Sequence, residues 1–265
     1  MDLELRGRTF VVSGASSGIG LATARRLLGE GANVCGFARD LDRLRGALTS
    51  AADTAGAADG GSRLLLRAGD ARVPAEVDSI VAAAADAFGG VDGVVANTGT
   101  GVAAGVGAEP AVWREQFDTK IVAAIALIES ARSWLARARG VIVLVNGVTA
   151  HHPDPQMAPV GAARAALANY AASLGAELAS VDVRVVAVNV GVIATERQRA
   201  RHLRSGSPLD YDEWRVAEAR RRGIPLGRMG RPEEVADTIA FLLSPRSAYT
   251  TGTSIDIAGG LDGRT

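Results

Sequence analysis

Seven short apolar runs alternate with stretches of helical spacing, and this constrains the chain more than any other feature. The runs are "RTFVVSG" (8–14), "NVCGFA" (33–38), "RLLLRA" (63–68), "DGVVAN" (92–97), "VIVLVN" (141–146), "VRVVAVNV" (183–190) and "TSIDIA" (253–258). Helical character lies between them at 18–29, 74–88, 110–138, 158–180 and 232–243. Strands that are apolar throughout need cover on both faces, which an alternating order of strands and helices supplies. The pattern predicts an α/β doubly wound parallel sheet with helices on both sides. No repeat or linker divides residues 1–265, so one domain is expected. "RPEEVADTIAFLL" opens with a proline and two acids, residue types that suit a helix amino end. The Gly/Ala-rich stretch "TSAADTAGAADGGS" (49–62) reads as a frayed helix end followed by a loop.

Charge and composition exclude several classes. Formal net charge is zero, so no global attraction draws the chain to nucleic acid or to an anionic membrane. No apolar run approaches the roughly 18 residues of a membrane span. "MDLELRGRTFVVSG" enters a strand pattern at once and lacks a signal-peptide layout, so a soluble, cytoplasmic protein is expected. Cys35, the one cysteine, sits inside an apolar run and is expected to be a buried structural thiol. No metal site is suggested.

The first strand runs into "SGASSGIG", Ser13 to Gly20, and then a helix. Glycines at 14, 18 and 20 let the backbone turn tightly and approach a pyrophosphate, which a helix amino terminus stabilises. A glycine triplet alone is weak. After the first strand of an alternating chain, it points to dinucleotide binding.

With "NTG" (97–99) after the fourth strand, "VGVIAT" (190–195) after the sixth and the tail "GRMGRPEEVADTIAFLLSPRSAYTTGTSIDIAGG" (227–260), the chain resembles the classical short-chain dehydrogenase/reductase family. The likeness spans nearly the whole sequence. It implies a seven-stranded Rossmann-type sheet, a nicotinamide cofactor, a small-molecule substrate and a homo-oligomer, a tetramer or dimer. By this resemblance Gly14, Ser16, Ser17, Gly18, Ile19 and Gly20 cradle the cofactor, Asp70 and Ala71 meet the adenine, and Asn97 and Gly99 flank the adenosine ribose. Gly191, Ile193 and Thr195 hold the nicotinamide end. Where an NAD enzyme of the family carries an acid, this chain has Ala38, followed by Arg39. Arginine can hold a 2′-phosphate through two donors, so NADP(H) is favoured over NAD(H).

The resemblance fails at the chemistry. The family reduces carbonyls with a tyrosine acid, a lysine four residues on, a serine and an asparagine. Laid on "MAPVGAARAAL" (157–167), the pattern puts Val160 at the tyrosine and Arg164 at the lysine. Gly147 falls at the serine, and Lys120 in "FDTKIVA" at the asparagine. Lys120 is the sole lysine and no tyrosine stands four residues before it, so no shift of register restores the motif.

Arg164 can still bond ribose hydroxyls, although its guanidinium is no proton donor at neutral pH. Lys120 either pairs with a carboxylate on its own helix or joins Arg164 in an anion or oxyanion clamp. The loop "AHHPDPQ" (150–156) offers His151, His152 and Asp154, either as solvated groups or as replacement acids. Asn146, beside Gly147, is expected to turn away from substrate by strand alternation. Residues 195–225 occupy the place of the family's substrate lid. The segment 196–222 carries eight arginines with Tyr211 and Trp214, either as a solvated hairpin or as a cover for a polar, anionic or ring-containing substrate.

These residues together suggest an atypical NADP(H)-dependent oxidoreductase, a ketone or imine reductase acting on a specialised metabolite, with Lys120, Arg164, His151 and His152 as catalytic candidates. The alternatives are a non-redox isomerase, dehydratase or cyclase on the same fold, or an inactive nucleotide-binding scaffold.

Overall fold

A computed structural model describes residues 1–54, 62–97, 99 and 101–261. Its seven strands form one parallel sheet in the order β3-β2-β1-β4-β5-β6-β7. They are β1 (Thr9–Ser13), β2 (Asn33–Ala38), β3 (Leu64–Ala68), β4 (Gly93–Ala96), β5 (Val141–Gly147), β6 (Arg184–Val190) and β7 (Thr253–Ile257). Nine helices accompany them among the described residues: α1 (Gly18–Gly29), α2 (Leu41–Thr54), α3 (Pro74–Phe88), α4 (Pro110–Phe117), α5 (Ala123–Ala138), α6 (Ala158–Leu178), α7 (Glu196–Ser205), α8 (Tyr211–Arg221) and α9 (Pro232–Leu243). The expected loop at 49–62 begins as the end of α2, and 55–61 lie outside the described residues.

The apolar runs lack polar alternation because both sheet faces are covered. Val11, Val94 and Ile142 pack under α3, α5 and α6 with Ile80, Leu127 and Leu174. Val12, Val95 and Val143 face the other way, onto Leu27 of α1, Leu44 of α2 and Ile239 of α9. Each fully buried valine or leucine contributes roughly 1.5–3 kcal/mol, so both layers are needed. Cys35 is fully buried in the first layer, and burial pushes its thiol up to about 12, as an inert structural residue requires.

Sequence order reverses beside β1, whose neighbours are β2 and β4. In such sheets the ligand crevice opens beyond the carboxyl ends of the strands flanking that point. Ser13 ends β1 there and ties it to β4: its Oγ donates to the Val95 carbonyl (3.2 Å) and accepts from the Asn97 amide (2.8 Å). α9 starts as its sequence implies, with Pro232 in the first turn and Glu234 accepting from the Arg231 amide at 2.7 Å.

The helix expected at 110–138 is interrupted. Asp118–Val122 form one π-helical turn between α4 and α5. Such a turn adds a residue to the helical repeat and redirects the side chains on it, often at a functional site. Lys120 is in that turn and is buried. No helix among the described residues is long and apolar enough to cross a membrane.

Candidate active site

Two adjoining spaces open at the carboxyl edge of the sheet. The outer groove, about 500 Å³, is walled by Gly14, Ser16, Ser17, Gly18, Arg39, Arg43 and Asp70, among others. The inner cavity, about 160 Å³, lies over the ends of β4, β5 and β6. They share Ile19, Asn97, Gly99, Thr195 and Arg197.

Local packing explains the glycine turn. Gly14 has φ +65°, and a Cβ there would fall 2.4 Å from the Asn97 carbonyl oxygen. Gly20 is buried behind the groove wall, where a Cβ would strike Asn97 Nδ2 and the Gly14 carbonyl. Its place in the motif is therefore close packing rather than contact with a ligand. Ser17, at the amino end of α1, makes no side-chain cap, so a helix terminus with uncapped amides opens on the groove. These features suit a pyrophosphate.

Exposed Arg39 lines the same groove, with Arg43 of α2 beside it. Arg43 also pairs with Glu196 of α7. Asp40 accepts from the Arg43 amide at 3.0 Å and so is occupied in opening α2. Asp70 and Ala71 lie on the wall. The Asp70 carboxylate is held by Arg72 (Nε to Oδ1, 3.0 Å), whose hydrogen bonds draw it down to about 2. Sequence reading did not single out Arg43; its spacing from Arg39, one helical turn on, was the available signal.

The inner cavity collects Lys120, Arg164, Asn146, Gly191, Ile193, Thr195, Arg197 and Gln198 over an apolar floor that includes Ala124, Val145 and Leu167. Lys120 Nζ donates to the Gly99 carbonyl at 3.1 Å. Among the described residues no carboxylate pairs with it and none lines the cavity, which decides against an ion pair along its own helix. Burial, and then the charges of Arg164 and Arg197, lower its pKa from 10.5 to about 7.

Arg164 rises from α6 across the end of β5. Its Nη1 donates to Thr149 Oγ1 at 2.9 Å, and its guanidinium covers Gly147 so closely that a Cβ there would lie 2.5 Å from Cζ. A side chain at 147 would require the end of this arginine to shift. Burial, and then the charge of Arg197, pushes Arg164 down to about 10, which leaves it cationic at neutral pH.

Val160 is fully buried, away from both spaces, and fills the region beside Gly101. Asn146 lies near the end of β5 in phase with Ile142 and Leu144, where Nδ2 donates to the Arg164 carbonyl (3.1 Å) and buried Oδ1 has no partner among the described residues.

The histidines point elsewhere. His151 Nε2 sits 3.0 Å from Asp256 Oδ2 on β7, and the same carboxylate accepts from Asn189 Nδ2 at 2.8 Å. His152 packs edge-on against His151, with ring centroids 4.5 Å apart. Neither histidine, nor Asp154, lines the cavity.

In the helical pair α7–α8, Tyr211 and Trp214 stack on each other and Trp214 on His202, so the rings form that pair's own core. Buried Glu218 holds Arg201, Arg221 and Arg222 and joins the two helices. Arg197 alone of this arginine-rich segment reaches across, donating through Nη2 to the Gly101 carbonyl.

A family model described as enoyl-(acyl carrier protein) reductase matches residues 14–262. The chain is 30% identical to a 3-oxoacyl-(acyl-carrier-protein) reductase of Vibrio cholerae, over 98% of this chain and 99% of that one. A short-chain oxidoreductase of Pseudomonas aeruginosa PAO1, described as containing an atypical catalytic center, superposes with a TM-score of 0.92 at 35% identity, over 98% of this chain and 99% of that one. Its NADPH-bound structure gives 0.90 at 35% identity, covering 97% and 98%. L-sorbose reductase of Gluconobacter frateurii, solved with NADPH and L-sorbose, gives 0.92 at 29% identity over the whole of both chains. The chain belongs to the short-chain dehydrogenase/reductase family and has its seven-stranded Rossmann-like fold.

Proposed function

We propose that this protein is an NADP(H)-dependent carbonyl reductase whose proton donor is Lys120 in place of the family's tyrosine. The carrying observation is a buried ammonium inside a cavity without acids, bound to one carbonyl, with a pKa brought near neutrality. A general acid works best when its pKa lies near the working pH. Val160 and Gly147, at the positions of the family's acid and serine, have no ionisable group to offer.

The outer groove would hold the dinucleotide, with its pyrophosphate at the amino end of α1 and its 2′-phosphate between Arg39 and Arg43. Bound there, NADPH supplies a hydride. Lys120 Nζ would donate a proton to the substrate oxygen as the carbonyl is reduced, and the neutral amine would regain one from solvent. Arg164, held by Thr149 and charged at neutral pH, bonds the ribose or the developing oxyanion. Thr195 and the backbone of Ile193 face the carboxamide end. Residues 195–225 act as the substrate lid, and the protein assembles as a homotetramer or dimer in the cytoplasm.

The test is NADPH oxidation over a panel of ketones and imines. The wild type should consume NADPH with some member, and Lys120→Met should be slower by about 10²–10⁴-fold with cofactor affinity nearly intact. Transformation of a bound substrate with no NADPH consumed would place the protein among the non-redox members of the fold.

A further inference from the structure

The inner cavity holds more positive charge than a carbonyl reduction needs. Lys120, Arg164 and Arg197 line one small space, and no acidic side chain lines it. Each reaches the cavity from a different element: the π-helical turn, α6 and α7. Proton transfer uses one of these charges and stabilisation of the oxyanion a second. Arg197 is left over, and it is the one contributed by the helical pair, tied down by a single bond to the Gly101 carbonyl. Arg197 lines both spaces, whereas Arg39, Arg43 and the α1 terminus, which suit the phosphates of a dinucleotide, lie in the outer groove alone.

Lys120 is buried and Arg164 half-buried with no carboxylate partner among the described residues, while exposed Arg197 stands at the cavity mouth, so an anion from outside completes the cluster. The polar groups narrow its chemistry. Arginine guanidinium forks match a planar carboxylate through paired N–H donors. Mutual repulsion among the cations, seen in the lowered pKa values of Lys120 and Arg164, would be relieved by such a ligand.

We propose that the substrate is an oxo acid whose carboxylate is bound by Arg197 and Arg164 beneath the α7–α8 pair. This rests on the reductase reading above and names the substrate class for the same site.

The single lysine makes a direct test possible, because isotope-labelled lysine reports Lys120 alone by NMR. Acetate and oxamate are titrated into the labelled protein, against the neutral acetamide and oxamide. The acids should shift the Lys120 signal and raise its proton affinity, and the amides should bind at least about tenfold more weakly. Arg197→Met should weaken the acids by about tenfold or more. Equal response to acids and amides, no response to either, or wild-type acid binding in Arg197→Met overturns the proposal. The two readings fail separately. Selective acid binding without NADPH consumption by any oxo acid would sink the reductase assignment alone. Equal NADPH-dependent reduction of oxo acids and their amides would sink the carboxylate site alone.

Discussion

Replacing Lys120 by methionine should make the unliganded protein more stable while removing its chemistry. Lys120 is 6% exposed, and its pKa falls from 10.5 to about 7 in the folded state. At about 1.4 kcal/mol per unit, that depression corresponds to at most about 5 kcal/mol of disfavoured charging. The bond to Gly99 offsets part of this, and methionine occupies nearly the same volume, so a net gain of about 1–3 kcal/mol is expected. The pH window is set by the direction of the shift. Above about 10.5 the lysine is neutral in both states and carries no penalty. As pH falls the unfolded chain takes the proton first, so the wild type loses stability down to about pH 7, below which both states are charged and the loss is complete. The advantage of Lys120→Met should therefore be full near pH 6 to 7 and vanish by about pH 10.5. In a domain of this size it should appear as roughly 2–12 °C in Tm. Thermal and urea denaturation of both proteins at the two ends of that range is the assay. A methionine variant that is less stable, or equally more stable at both ends, would refute the buried, uncompensated ammonium.

Three other substitutions probe different parts of the site. Arg39→Asp should weaken NADPH binding strongly while sparing or improving NADH binding; equal loss of both by fluorescence titration would remove the phosphate role. Gly147→Ser together with Val160→Tyr should not restore family-type activity, since a serine would displace the Arg164 guanidinium and Val160 is sealed beside Gly101. Overpacking there should lower stability by about 1–3 kcal/mol in denaturant melts. His151→Ala and His152→Ala should each keep turnover within a few-fold of wild type, because Asp256 and ring packing hold both outside the cavity; a loss near 10²-fold would reinstate a histidine donor.

Much of this architecture is legible in the sequence because it arises from periodicity. The seven strands begin and end within about a residue of the apolar runs, since the five central ones are buried on both faces and only β3 and β7, at the edges, are partly exposed. The glycine turn and Arg39 are equally readable, as local chemistry immediately after a strand. Resemblance places Lys120 but does not reveal its inward turn: a π-helical segment preserves the apolar stripe of a continuous helix while rotating the residues after it. Arg197 is hidden among eight arginines of one segment, and only the tertiary path of α7 separates it from those that pair with Glu218. The partners of His151 and His152 lie across the sheet on β7 or in the loop itself, a long-range fact that no spacing reveals.

The most direct test of Lys120 as proton donor is the pH dependence of kcat/KM for carbonyl reduction, compared between wild type and Lys120→Arg. That parameter reports ionisations of the enzyme before substrate binds. The wild-type value should fall as pH rises through about 7, as the ammonium is lost, and the arginine variant should be slow throughout with no such step. A wild-type profile that is flat through this range, or an arginine variant that retains the wild-type rate, would contradict the assignment.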